Sequence, residues 1–338
     1  MLAYAKSFPV ERSRCGGFEK MKIKHDVHTH SLLSQCCYDP VATVEAYVKR
    51  AMELDHKVFG ISNHLWDEKV PGASGWYQKQ MINYGLEGSR CAIPKDHGSM
   101  KVLIGTESEY CGATDNLGIL AETGARFDYV LIPHTHMHMK NFVINETEAV
   151  KNYRDLLAEK IGEAFPNLNA AQAKKMAAAL NNTDIEALIG TSNEEIIEYN
   201  SKFMVDSFLQ LMNNPEFRKL AATVPTSVAH PFHPCGFGGD MRCEIVNAVS
   251  DEDFIRCFEE AKKLGVYIEI NTGAFTFTAN NYEKEPAIRF MKLAKQVGCS
   301  FTFGTDTHSL AGLDAIKKGD DISDICGITE SDLAEYVR

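Results

Sequence analysis

The sequence predicts an α/β fold, a mainly parallel sheet closed into a barrel with its chemistry at the C-terminal ends of the strands. Short β-branched or aromatic runs alternate with helix-patterned segments along most of the 338 residues, the pattern of repeated strand, loop and helix units. Many of those runs stop at His, Glu or Asp: His28-Thr29-His30, Asn63-His64, Gly105-Thr106-Glu107, Pro133-His134, Ala229-His230 and Asp306-Thr307-His308. Closing the sheet brings all these ends to one mouth, whereas an open sheet would spread them out.

Taken in order, Ile23 to His30 reads as a first strand. Asp39-Pro40 supplies an N-cap and a first-turn proline for a helix with Val41, Val44, Val48, Ala51 and Leu54 on one face. Val58 to Ile61 is a second strand, and residues 65–100 read as a long loop carrying Trp66, Trp76 and Tyr77. Lys101 to Ile104 and Tyr129 to Ile132 are the third and fourth strands. Residues 145–221 read as a helical insertion within the barrel, broken near 167–171 and 181–184. Val224 to Ala229 is a fifth strand. Ser250 caps a helix with Phe254, Phe258 and Ala261 on one face, and Gly265 stops it. Val266 to Ile270, the helix from Ala287 to Val297, and Phe301 to Phe303 complete the set. Residues 1–20 lack a period and read as a tail, leaving 21–338 as a single domain. There is no P-loop and no GxGxxG fingerprint.

Composition narrows the function. A net charge of -11 gives no support for a nucleic-acid partner. No stretch approaches the roughly 20 apolar residues that span a bilayer. Ten cysteines, scattered except for Cys36-Cys37, follow no secretory segment and point to a reducing cytoplasm. Oligomeric state has no signature.

The strand-end residues suit metal binding. His28 and His30 are two apart, so on a strand both point into the mouth. Imidazole and carboxylate are common ligands of zinc, and so many of them buried together would be costly without a cation or pairing. His28, His30, His64, Glu107, His230, Asp306 and His308 are the candidate ligands, with Glu109 a competitor to Glu107 or a partner of a surface cation or of a supporting histidine. Among His134, His136 and His138 at least one binds metal; His136 is preferred over His134, and His138 is left to a supporting or substrate role. His233 is either in reach of substrate or a loop residue. His25 reads as solvent-facing, and His56 as a charge at a helix end. The histidine richness favours zinc, iron or manganese over magnesium.

The pieces "DVHTHS" at 26–31, "GISNH" at 60–64, "GTE" at 105–107, "VAHP" at 228–231, "YIEINTG" at 267–273 and "GTDTHS" at 304–309 together resemble the polymerase and histidinol phosphatase superfamily, in particular its histidinol-phosphatase-like members. The resemblance implies a distorted (β/α)7 barrel, two or three divalent ions and hydrolysis of phosphate esters. Relatives usually place a histidine six residues after the HxH pair, where this chain has Cys36, or an aspartate one residue earlier, where it has Gln35. A thiolate binds zinc, so Cys36 is carried as a candidate ligand; the alternative is a dinuclear cluster. Asn63 replaces an aspartate common before the histidine and keeps an acceptor. The expected reaction is hydrolysis of a small phosphomonoester, with histidinol phosphate as one substrate, Lys140, Arg126 or Arg242 as the cation on phosphate, and His233 or His138 as proton donor. The alternatives are a phosphodiesterase or exonuclease, a hydrolase of an amide or lactone, and a non-catalytic metal-binding regulator.

Overall fold

The computed structural model describes residues 21–275 and 284–338; the tail expected over 1–20 lies outside them. Seven parallel strands run in chain order: β1 (His25–Asp26), β2 (Val58–Ile61), β3 (Lys101–Glu107), β4 (Tyr129–Ile132), β5 (Thr226–Val228), β6 (Tyr267–Asn271) and β7 (Phe301–Gly304). Each pairs with the next in parallel. The last strand meets the first: Val27 N–H donates to Phe303 O at 3.1 Å, and Asp306 N–H to His28 O at 2.7 Å. Thr29 and Thr307 add a parallel bridge. The result is the distorted seven-stranded barrel that the strand-end chemistry implied. Its distortion shows in β1, whose regular ladder is two residues long rather than eight. Beyond Asp26 single bonds replace the ladder, such as Thr29 N–H to Ser62 Oγ at 3.0 Å.

β2 and β4 are buried along their whole length, as parallel strands covered on both faces must be. Their neighbours leave room where rings or ligands need it. A side chain at Gly105 would collide with the Tyr129 ring, and one at Gly304 with His28 Cβ and the Glu269 carboxylate. Glycine at 304 therefore leaves room for His28 and Glu269 at the mouth.

Helix α1 (Val44–Glu53) starts later than the Asp39-Pro40 signal suggested, because Thr43 takes the N-cap and its hydroxyl accepts from Ala46 N–H at 3.1 Å. Asp39 instead accepts from Leu310 N–H at 2.9 Å, tying the first loop to the last. Residues 65–100 are more ordered than a loop, with short helical turns at Tyr77–Lys79, Asn83–Gly88 and Ser89–Ala92. Trp66 and Tyr77 are buried.

The crossover from β4 to β5 carries α2 (Glu148–Ala164), α3 (Ala170–Ala177), α4 (Asn182–Ile189), α5 (Asn193–Asn213) and α6 (Pro215–Thr223). Each begins on a polar cap: Thr147, Asn169, Asn181, Ser192 and Asn214. Two of these caps are the breaks read in the sequence. Helix α5 presents Phe208 to Phe232, stacked with ring centroids 5.2 Å apart and planes nearly parallel, and Phe254, Phe258 and Phe290 pack around the pair. This aromatic layer supports the turn after β5. Helix α7 (Gly239–Ala248) was not legible, since no side chain caps it. Helices α8 (Asp251–Leu264) and α9 (Pro286–Val297) end on Gly265 and Gly298, both left-handed. No described helix is long and apolar enough to cross a membrane.

Candidate metal centre

The strand ends deliver their side chains to one buried point. Glu107, at the end of β3, lies at its middle. Its Oε2 is 3.3 Å from His28 Nε2, 3.2 Å from His30 Nε2 and 3.3 Å from His64 Nδ1, and its Oε1 is 3.2 Å from His230 Nε2. Asp306 Oδ1 approaches His28 Nε2 at 3.4 Å and His30 Nε2 at 3.2 Å. The His30 ring stacks on His64 and His308 at 4.4 and 4.6 Å. His230 and Asp306 both sit at positive φ, 28° and 52°, a conformation that costs a non-glycine residue energy and persists because the barrel over-determines it.

Three sets of potential ligand atoms emerge, the atoms of each lying within 4.8 Å of one another: His28, His30, Glu107 and Asp306; His30, Cys36, His64 and His308; and His136, His230 and Cys235. The donors fit divalent cations. They combine imidazole, carboxylate and thiol, the usual zinc set. His30 Nδ1 and His230 Nδ1 are buried without a hydrogen-bond partner, which is costly for a polar atom that only other protein atoms surround. Two or three ions suit these sets.

The protonation pattern follows from how closely the carboxylates, the thiol and the rings are packed. Burial acts against every ion here, yet the facing rings His64 and His28 and the hydrogen bond from His230 hold Glu107 well below the usual carboxylate range. His28 is driven up, against burial, by Glu269, Asp306 and Glu107. For Cys36 burial again opposes ionisation, but His30 and hydrogen bonds from His308 and His64 bring the thiol down to about 3. His28, Glu107 and Cys36 thus shift as their oppositely charged neighbours dictate, burial notwithstanding.

Partners outside the cluster orient it. Glu269, on β6, accepts from His28 Nδ1 at 2.7 Å with one oxygen, and from His230 N–H at 2.6 Å with the other. Glu109 accepts from His136 Nδ1 at 2.6 Å and Tyr77 O–H at 2.8 Å, which is the histidine-partner alternative for that residue. Asn63 accepts from Ser31 N–H at 2.8 Å, so it ties the HxH loop to β2. A carboxylate behind a ligand imidazole fixes its tautomer.

Several expectations change. His134 is not brought to the ligands. Pro133 turns the chain, and the His134 ring stands edge-on to Phe208 and Phe232 at 5.2 and 5.4 Å; burial, then His230 and His136, push it down to about 3. His136 takes the place at the mouth, its Nε2 4.0 Å from Glu107 Oε1. His25 is buried, not solvent-facing, and its Nε2 accepts from Phe303 N–H at 2.9 Å. His56 carries no charge to a helix end: burial and then Lys24 push it down to about 4. Arg126 is exposed and turned towards Glu87. Cys235 and Glu269 were not singled out from sequence. The glutamate was signalled, being two residues from Asn271 in a strand-end motif; the cysteine had no local signal.

A closed barrel whose mouth holds three neighbouring donor sets is the architecture of a multinuclear metal-dependent enzyme. The chain matches the PHP domain over residues 26–273 and belongs to that family, as a metal-dependent phosphoesterase. Among solved structures it is similar to a putative histidinol phosphatase from Listeria monocytogenes, at 16% identity and a TM-score of 0.50, covering 86% of this chain and 97% of that one. It is also similar to the histidinol phosphate phosphatase of Lactococcus lactis, solved with zinc, L-histidinol and phosphate, at 17% identity and a TM-score of 0.48, covering 91% of this chain and 95% of that one. No curated protein matches the chain.

Proposed function

We propose that the enzyme hydrolyses a small phosphomonoester, with histidinol phosphate as one substrate to test. The observation that carries the reading is Glu107, within 3.3 Å of four imidazoles on three different segments, so that one carboxylate faces residues of all three donor sets. His28, His30, Glu107 and Asp306 would hold one ion, Cys36, His64 and His308 a second, and His136 and His230 a third. Ions bound there supply an activated water and offset the charge on the phosphoryl oxygens.

The chain's own groups do the rest. Lys140 lies near His138, and burial lowers its pKa. Arg242 lies near His233 but is held by Glu285 through two 2.8 Å bonds. Lys140 is therefore the freer cation for phosphate. Burial, followed by neighbouring positive rings, pushes His138 down to about 4 and His233 to about 3, so both are neutral near pH 7. An arriving phosphate dianion raises such a ring and prepares it to donate a proton to the leaving oxygen. The same reading takes 21–338 as one barrel domain with the helices of 145–221 inserted. The described cysteines are all unpaired, which supports a reducing compartment.

The test is phosphate release from a panel of small monoesters, histidinol phosphate included, with zinc or manganese supplied and diesters and oligonucleotides run alongside. Turnover of monoesters is expected. Cleavage confined to diesters overturns the monoester reading, and an ion-loaded protein inert on the whole panel overturns the phosphatase.

A further inference from the structure

We propose that Cys235 is a metal ligand, completing with His136 and His230 an ion site of mixed nitrogen and sulfur donors. The inference rests on the metal-dependent reading of the same mouth and adds a donor that neither the strand-end pattern nor the family motifs contain.

The backbone explains how the thiol arrives there. After β5 the chain winds tightly, with His230, Phe232 and Gly236 all at positive φ. His233 N–H donates to His230 O at 3.1 Å, and Cys235 N–H to His233 O at 2.8 Å. Cys235 N–H also donates to Thr135 O at 3.1 Å, which clamps the turn onto the segment that carries His136. Gly236 completes the clamp, since a Cβ there would lie 3.0 Å from His138 Cβ. The turn is thereby held with the sulfur and one nitrogen each of His136 and His230 within 4.8 Å of one another. The second observation is independent of the cysteine: His230 Nδ1 is buried without a partner. Glu109 fixes the His136 ring from behind at 2.6 Å, as carboxylates do for metal-binding imidazoles.

Sulfur at this position decides which ion is held. Thiolates favour zinc and similarly soft ions, while carboxylate sites suit manganese or magnesium. With Cys36 in its own set, two of the three sets contain sulfur, and only the set of His28, His30, Glu107 and Asp306 is built of nitrogen and oxygen alone. The sulfur-bearing positions then keep zinc in the presence of manganese.

X-ray absorption at the zinc edge of the zinc-loaded protein tests this, because Zn–S at about 2.3 Å separates from Zn–N at about 2.0–2.1 Å. In Cys36→Ser a sulfur shell remains, and in the Cys36→Ser/Cys235→Ser double variant it vanishes. Cys36→Ser that holds zinc with no sulfur shell overturns the proposal and leaves the phosphatase reading intact. A double variant that keeps the shell overturns it as well, since another cysteine is then the donor. Wild-type protein that takes up no zinc overturns both readings. Should Cys36→Ser not fold, Cys235→Ser is measured against wild type: its sulfur amplitude falls by about half if one of two thiolates has gone, and an unchanged amplitude refutes the assignment.

Discussion

Replacing Glu269 by glutamine tests the orientation of the centre without removing a ligand. The carboxylate is fully buried and uses both oxygens as acceptors, Oε1 from His28 Nδ1 at 2.7 Å and Oε2 from His230 N–H at 2.6 Å, with Asn271 Nδ2 at 3.3 Å on Oε2 as well. Glutamine has the same shape but turns one acceptor into a donor. If its NH2 faces His230, two buried donors meet and the backbone N–H loses its partner, at a cost of about 1–3 kcal/mol. If the NH2 faces His28, the ring must accept at Nδ1, so its proton moves to Nε2, the atom that faces Glu107 and Asp306. That tautomer cannot bind a cation through Nε2. Loss of such an outer partner typically costs about 10–100-fold in metal affinity, or about 1.4–2.7 kcal/mol. Zinc competition against a chromophoric chelator and denaturant unfolding of the metal-free protein separate the two outcomes. Glu269→Gln with wild-type zinc affinity and a wild-type unfolding midpoint would refute the reasoning.

Other perturbations give distinct outcomes. Glu107→Gln removes the carboxylate that faces all three donor sets; bound metal should fall by at least one equivalent and phosphate release by more than about 100-fold, beyond the loss typical of an outer partner. His134→Asn should keep the full complement of ions by elemental analysis, whereas His136→Asn should lose one; the opposite result would return His134 to the ligands. Phe208→Ala opens the aromatic layer beneath Phe232 and should cost about 3–5 kcal/mol of stability in denaturant, with metal stoichiometry unchanged in the fraction that folds. Burial, aided by His56, pushes His25 down to about 3, so between that value and its ordinary 6.5 the unfolded chain binds a proton that the folded one does not. Stability falls as pH drops through that window, by on the order of 5 kcal/mol from this group at full protonation. His25→Gln should show a shallower acid slope, and comparing variant with wild type cancels the opposing contribution of buried Asp26; parallel slopes would contradict the assignment.

Much of the centre is legible in order along the chain because its side chains sit at strand ends. His28 and His30 alternate on one face of an extended segment, and Asp306 and His308 repeat that spacing at the far end of the sequence. Reading failed where position depends on a neighbour from elsewhere. His134 and His136 share a face in any extended reading; they part because Pro133 turns the chain and because α5 and the turn after β5 bring Phe208 and Phe232 around the first ring. His25 and His56 looked peripheral and are buried once the barrel closes over them. Thr43 displaced Asp39 as the cap of α1 because Asp39 is engaged by Leu310, some 270 residues away.

The sequence by itself determined the barrel, its strand order and the kinds of donor at its mouth, because alternation, capping and strand-end polarity are local properties that survive without contacts. Only the tertiary structure decided which donors meet. Glu107 touches rings from three segments, Glu269 supports two of the clustered histidines at once, and Cys235 reaches its set through a clamped turn; each relation depends on closure of the sheet, which no stretch of chain encodes alone.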